Sequence, residues 1–301
     1  MRDSTPISPP CKNAWAACEL SESTAKVLVA KLSAMSRRDF LQFLPLVSVP
    51  GLLSGALPTA CTPTKSRTAP PPSFERGSRR KIRAICFDLF TLFDPRSVLQ
   101  AASAVVGEHA PELCEAWRVR QFEYSWLRAT AKQYVDFRSV TDEALQFAAK
   151  ARGLTLSDAA RRSLVDAYSR LTPWPDAKTS LVAWKQAGIA LAPLTNYSPA
   201  MLGSLMESAG FSELFHAQIS THVAKTFKPD PVAYALGESR LGLAREEIAF
   251  AAFGGWDAAG AKWFGFPTFW VNRLGVPQEQ LVAPDGTGPT LAELGEFVAK
   301  W

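Results

Sequence analysis

From Lys81 onward the chain alternates short apolar runs of strand length with segments of helical periodicity, and this alternation restricts the fold more than any other feature. Ile82 to Phe87 (IRAICF), Ile189 to Leu194, Ile248 to Phe253 and Thr268 to Val271 read as strands. Pro199 to Ala209, Pro231 to Leu241 and Asp257 to Phe264 read as the helices that cross between them, and Thr290-Leu291-Ala292-Glu293 is a capping box opening a terminal helix. Near-continuous apolar strands joined by helices imply an α/β fold, a doubly wound parallel sheet covered on both faces. Between the first strand and Ile189 lies a long helical stretch, at Glu112 to Tyr134, Thr141 to Arg152 and Ser157 to Tyr168. We expect residues 97–172 to form a helical cap over a core built from 81–96 and 173–301.

Doubly wound sheets bind ligands at the carboxyl ends of their strands. Asp88, Thr195-Asn196 and Asp257 all emerge there. A strand that delivers one carboxylate into a turn, as Ile82 to Phe87 delivers Asp88, is the setting for a nucleophilic aspartate.

The formal charge of +5 does not point to nucleic acid, because residues 1 to 80 hold 11 Lys and Arg against 5 Asp and Glu, which leaves 22 against 23 for the rest. The cluster RGSRRKIR, Arg76 to Arg83, therefore reads as a solvated linker. Five cysteines without CxxC spacing argue against a disulfide framework and a zinc site, and Cys86 within the first strand reads as a small buried apolar residue. Three scattered histidines and no GxSxG elbow exclude a serine hydrolase pattern.

Ser36-Arg37-Arg38-Asp39-Phe40-Leu41, before an uncharged stretch from Phe40 to Thr64, is similar to a bacterial twin-arginine export signal and predicts a periplasmic protein. Pro45, Pro50, Gly51, Gly55 and Pro58 would interrupt a membrane-spanning helix, so no stable span is expected. Leu57-Pro58-Thr59-Ala60-Cys61 is also similar to a lipoprotein cleavage box, with Pro58 where an aliphatic residue is expected, which leaves a lipid anchor at Cys61 open. Met35 directly precedes the signal, so residues 1–35 read as a non-native or disordered leader, 36–61 as the signal and 62–80 as a disordered linker rich in Thr, Pro and Ser.

Five segments in order, FDLFTLFDPRSV, WRVRQFEYSWLR, LTNYSPAML, FKPDPVAY and WDAAGAKWFGFPTFWVNR, resemble the haloacid dehalogenase superfamily and within it the (S)-2-haloacid (type II) dehalogenases. The resemblance covers roughly residues 81 to 275. It implies that Asp88 attacks the halogen-bearing carbon of a small 2-haloacid and forms an ester that water hydrolyses. By the same resemblance Lys228 holds the nucleophile's charge, Asp257 pairs with Lys228 and helps orient water, and Arg118 with Asn196 receives the halide. Thr195 and the backbone N–H groups of Leu89 and Phe90 are expected to bind the substrate carboxylate. Tyr234 is expected near the nucleophile, and Phe122, Phe137 and Trp256 to form the apolar wall.

Superfamily members that transfer phosphoryl groups use an aspartate two residues after the nucleophile and an acidic pair that holds magnesium. Here Phe90 stands at the first place and Asp257 is the one carboxylate of Ala252-Phe253-Gly254-Gly255-Trp256-Asp257, so no metal and no cofactor are expected. The chain also departs from the resemblance in two places. It lacks the glycine that follows the nucleophile by three residues, and Ala252, Phe253 and Gly254 stand where Ser-Ser-Asn is usual. The turn after Asp88 must therefore close differently, and ester hydrolysis is expected to slow by loss of groups that position water. Two alternatives stand beside this reading, another small-acid hydrolase and a non-catalytic carboxylate-binding protein. A homodimer is expected by analogy only.

Overall fold

The computed structural model describes residues 81–301. The export signal, the Cys61 box and the linker lie outside the described residues. Six strands form one parallel sheet in the order β5-β4-β1-β6-β7-β8, where β1 is Ala84–Phe87, β4 Ala190–Thr195, β5 Ile219–Ser220, β6 Ile248–Ala252, β7 Thr268–Val271 and β8 Gly286–Gly288. Every residue of β1 and β6 is buried, because strands at the sheet centre have no solvent face. Ile82 is buried as well, but strand pairing begins at Ala84.

Side chains of β1 alternate between two cores. Ile85 and Phe87 point to the face covered by the helices Ala177–Gln186 and Leu291–Ala299, where Leu181, Trp184, Leu294 and Phe297 pack. Ala84 and Cys86 point to the face covered by Pro231–Leu241 and Gly255–Phe264, where Tyr234, Ala258 and Ala261 pack. Two crossover helices start as the sequence predicts, at Pro199 and Pro231, and the third starts at Gly255, two residues before the expected Asp257. Ser198 and Asp230 accept hydrogen bonds from the amides of Met201 and Val232, and Pro199 and Pro231 follow in the first turn.

A two-stranded antiparallel ribbon, β2 (Phe93–Asp94) with β3 (Thr172–Pro173), forms the neck of a helical insert. The insert holds the helices Ser97–Val106, Ala110–Ala131, Phe137–Ala151 and Asp158–Ala167. Leu113, Trp117, Val140, Leu145 and Leu164 are its buried centre, and the Trp117 indole N–H donates to the Thr141 carbonyl at 2.7 Å. The helix expected to begin at Thr141 begins one turn earlier, because Asp136 caps it by accepting from the Ser139 amide at 3.0 Å. The preceding helix stops at Ala131 instead of Tyr134, since Lys132 turns left-handed with φ 57°. No helix among the described residues is long and apolar enough to cross a membrane.

Candidate active site

β1 ends at Phe87, and Asp88 opens a single helical turn, Leu89–Leu92. With no glycine after the nucleophile position, the turn closes without any residue in the left-handed region. The Asp88 carboxylate itself caps it, accepting from the Phe90 amide at 3.2 Å, and the Thr91 hydroxyl donates to the Asp88 carbonyl at 2.6 Å. The Phe90 amide, expected to serve a substrate carboxylate, donates here to Asp88. Arg273 steadies the turn from outside. Its Nε donates to the Thr91 carbonyl at 2.9 Å and its guanidinium pairs with Asp176, which also accepts from the Leu291 amide at 3.0 Å.

Lys228 lies in the loop before Pro231–Leu241, and its ammonium is shared by two carboxylates. Nζ is 2.8 Å from Asp88 Oδ1 and 2.6 Å from Asp257 Oδ2. The Lys228 side chain is 2% exposed and that of Asp257 1%, so this charge cluster is almost dry, while Asp88 at 15% reaches open space. Burial alone would push Lys228 down, but the two carboxylates outweigh it and hold its pKa above the usual lysine value. Burial pushes the Asp257 carboxyl up to about 6, against the pull of Lys228 and with the repulsion of Asp88.

The second oxygen of Asp257 accepts from the Tyr234 hydroxyl at 2.6 Å. Neither Asp257 nor Tyr234 belongs to the cavity wall. Tyr234, expected near the nucleophile as a substrate-binding residue, stands behind Asp257 and fixes it. Asp257 was expected to orient water, yet both of its oxygens are held, one by Lys228 and one by Tyr234. Cys86 is fully buried beneath this cluster, and burial pushes its thiol up to about 12, as befits an apolar filler.

The other expected residues converge above Asp88. A cavity of about 30 Å³ is bounded by Asp88, Leu89, Phe90, Lys228, Thr195 and Asn196 from the core and by Arg118, Phe122 and Phe137 from the insert, with Trp256 at its edge. The Arg118 guanidinium lies 4.5 Å from the Phe90 ring centroid and 4.2 Å from that of Phe122. It is also anchored, donating at 2.8 Å to Gln121 Oε1, whose amide donates at 2.8 Å to the Thr141 hydroxyl. Asn196 Oδ1 accepts from the Lys228 amide at 2.9 Å and from the Thr221 hydroxyl at 3.3 Å, which fixes its amide orientation. Thr195 Oγ1 accepts from the Tyr197 amide at 3.1 Å.

A second chamber of about 230 Å³ shares Asp88, Arg118, Phe122 and Trp256 with the first and extends to Phe253, Leu274 and Val276. Its polar side chains are engaged elsewhere: Asn272 with the Val276 backbone, Arg273 with Asp176. At the end of β6, Ala252 is fully buried, and in the loop that follows Phe253 packs edge-on against Phe90 at 5.8 Å. A Cβ on Gly254 would lie 2.7 Å from the Trp256 indole nitrogen, so glycine here lets that indole close the chamber.

Sequence reasoning missed Tyr197, Gln121 and Tyr168. Only the position of Tyr197, directly after the strand-end pair Thr195-Asn196, could have drawn notice. The signal for Gln121 and Tyr168 is nil, because contact with Arg118 arises from helix packing within the insert.

An aspartate at the end of the central strand, a buried lysine bridging it to a second aspartate, and a helical insert above them define an aspartate-centred α/β hydrolase. Its family model matches residues 82–265 and describes a haloacid dehalogenase-like hydrolase. The chain belongs to the haloacid dehalogenase-like hydrolases. It is 40% identical to an (S)-2-haloacid dehalogenase of Pseudomonas sp. (strain YL) over 68% of this chain and 89% of that one. Among solved structures, an L-2-haloacid dehalogenase superposes with TM-score 0.71 and 37% identity, covering 73% of this chain and 99% of the other. The enzyme from Xanthobacter autotrophicus with chloropropionic acid covalently bound superposes with TM-score 0.68 at 36% identity, over 72% of this chain and 98% of that one.

Proposed function

We propose that this protein hydrolyses the carbon–halogen bond of 2-haloalkanoic acids through an ester on Asp88. The observation that carries the reading is the single ammonium of Lys228 held at 2.8 Å from Asp88 and 2.6 Å from Asp257. It keeps an anionic nucleophile beside a dry, aromatic wall without a metal, since the lysine supplies the compensating charge. An Asp88 carboxylate oxygen bonds to C2 of the acid as the C–halogen bond breaks, and the halide leaves with the electron pair toward Arg118 and Asn196. Thr195 orients the substrate carboxylate, and the substituent at C2 runs into the apolar chamber between Phe122, Trp256 and Val276. Water then adds to the ester carbonyl, the acyl C–O bond breaks, and the 2-hydroxy acid leaves with one of the water's protons on its hydroxyl; the other proton passes to solvent, and the Asp88 carboxylate is restored beside the Lys228 ammonium.

Ala252, Phe253 and Gly254 offer no side-chain donor or acceptor near that carbonyl, which supports slow ester hydrolysis. Intact mass spectrometry after mixing with (S)-2-chloropropionate tests this, with Asp88→Asn as control and halide release recorded in parallel. We expect an ester adduct on Asp88 and a burst of halide matching the number of sites. Release at a steady rate without adduct means hydrolysis is fast, and binding heat without halide favours a carboxylate-binding protein.

The Arg37-Arg38 pair supports export to the periplasm, and fractionation of an Arg37→Lys, Arg38→Lys variant tests it: retention in the cytoplasm is the expected result. Pairing of two copies through the helical inserts is the assembly we propose, checked by the mass in solution.

A further inference from the structure

One polar group of the cavity wall has no partner. Tyr197 is 2% exposed, lines the 30 Å³ cavity, and its hydroxyl makes no hydrogen bond among the described residues. The residue is fixed in every other respect. Its ring stacks on Phe137 at 5.5 Å and meets Tyr168 edge-on at 6.3 Å, its amide donates to Thr195 Oγ1, and its carbonyl accepts from the Ser220 hydroxyl. The hydroxyl therefore cannot swing to a partner elsewhere. A buried hydroxyl left unpaired costs about 1–3 kcal/mol, and such groups in folded proteins call for a ligand, an ordered water or a functional strain to explain them.

The neighbours identify the ligand's chemistry. Arg118 and Asp88 line the same cavity as Tyr197, and burial raises the pKa of its hydroxyl well above that of free tyrosine, so it remains a donor. Arg118 brings positive charge to the same wall and presses it against two aromatic faces. The space between them, about 30 Å³, has room for a leaving atom beside the hydroxyl.

Resting on the dehalogenase reading, we propose that Tyr197 is a halide-binding residue whose hydroxyl donates to the halogen that Asp88 displaces. A halogen bonded to carbon accepts hydrogen bonds weakly and a halide ion accepts them strongly. As the Asp88 oxygen bonds to C2 and the C–halogen bond breaks, negative charge gathers on the leaving atom. The Tyr197 hydroxyl strengthens its bond to it while keeping its proton. The interaction is thus realised in the transition state and not in the bound substrate, so it raises kcat and leaves KM nearly unchanged.

The test is Tyr197→Phe, which keeps the stacked ring, compared with the wild type on 2-chloro-, 2-bromo- and 2-iodopropionate by single-turnover halide release. The rate should fall about 10-fold or more, in line with loss of one donor to developing charge, and most for chloride and least for iodide. Inhibition by added chloride and the heat of bromide titration should weaken together, and the melting temperature should hold or rise. Equal losses for all three halogens, a change confined to KM, or unaltered bromide binding would each overturn the assignment. If the wild type yields neither halide nor adduct from any of the three, the dehalogenase reading itself fails. Wild-type turnover with an unimpaired Tyr197→Phe sinks the Tyr197 role alone.

Discussion

The ammonium of Lys228 faces two carboxylates from inside the core, and removing either sign leaves charge uncompensated where water cannot reach. Lys228→Met should cost on the order of 3–5 kcal/mol of stability by chemical denaturation, whereas Asp88→Asn, still able to accept from Nζ, should cost far less. Asp257 behaves unlike an ordinary aspartate because burial raises it from 3.8 to about 6. Between those values the folded chain keeps a proton that the unfolded chain has released, so this group lowers stability as pH rises through the window. Activity should move the other way. The ionised Asp257 holds Lys228 toward Asp88, and turnover should fall as pH drops through about 6. Tyr234→Phe removes the hydroxyl that favours the charged form, and so should move that limb to higher pH. Tyr197 follows the strand-end pair Thr195-Asn196, yet an aromatic residue there is ordinarily core. Only its unpaired hydroxyl, a fact of packing, sets it apart.

At the scale of elements, two segments depart from the pattern that the sequence resembles: the turn after Asp88 and the end of β6 with its following loop. The short turn after Asp88 draws the Phe90 amide onto the nucleophile's own carboxylate, and the second segment presents Ala252, Phe253 and Gly254. Ala252→Ser adds a hydroxyl at the end of β6, where the pattern the sequence resembles carries serine. We expect faster ester hydrolysis and a smaller adduct population in the mass spectrum, with the halide burst unchanged in rate. The elements legible in the sequence were those with long patterns and strong caps: β7 and the helices Pro199–Ala209 and Pro231–Leu241 lie where the residues place them. The illegible ones carry little pattern of their own. β5 has two residues, β8 is Gly-Thr-Gly, and β2 and β3 exist because the insert must leave and return at one neck. The helix Ala177–Gln186 also escaped notice, since its cap Asp176 makes no side-chain bond to the first turn and serves Arg273 instead.

For the molecule as a whole, the two adjoining spaces divide the substrate. The 30 Å³ cavity suits the leaving atom, and the 230 Å³ chamber can receive a hydrocarbon substituent larger than methyl. 2-Bromohexanoate should therefore be accepted alongside 2-bromopropionate. Val276→Trp, which fills the chamber, should lower the ratio of their kcat/KM values, hexanoate over propionate, about tenfold; an unchanged ratio would place the substituent elsewhere. Both spaces lie between insert and core, and we expect the insert to move about its narrow β2–β3 neck as an acid enters. Trp126 and Phe122 on the insert meet Trp256 on the core at ring-centroid distances of 5.6 Å and 5.2 Å. Two indoles thus straddle the seam between insert and core, and if the seam parts on substrate entry their emission should change in colour and intensity. Stopped-flow fluorescence can time each opening without any attached dye.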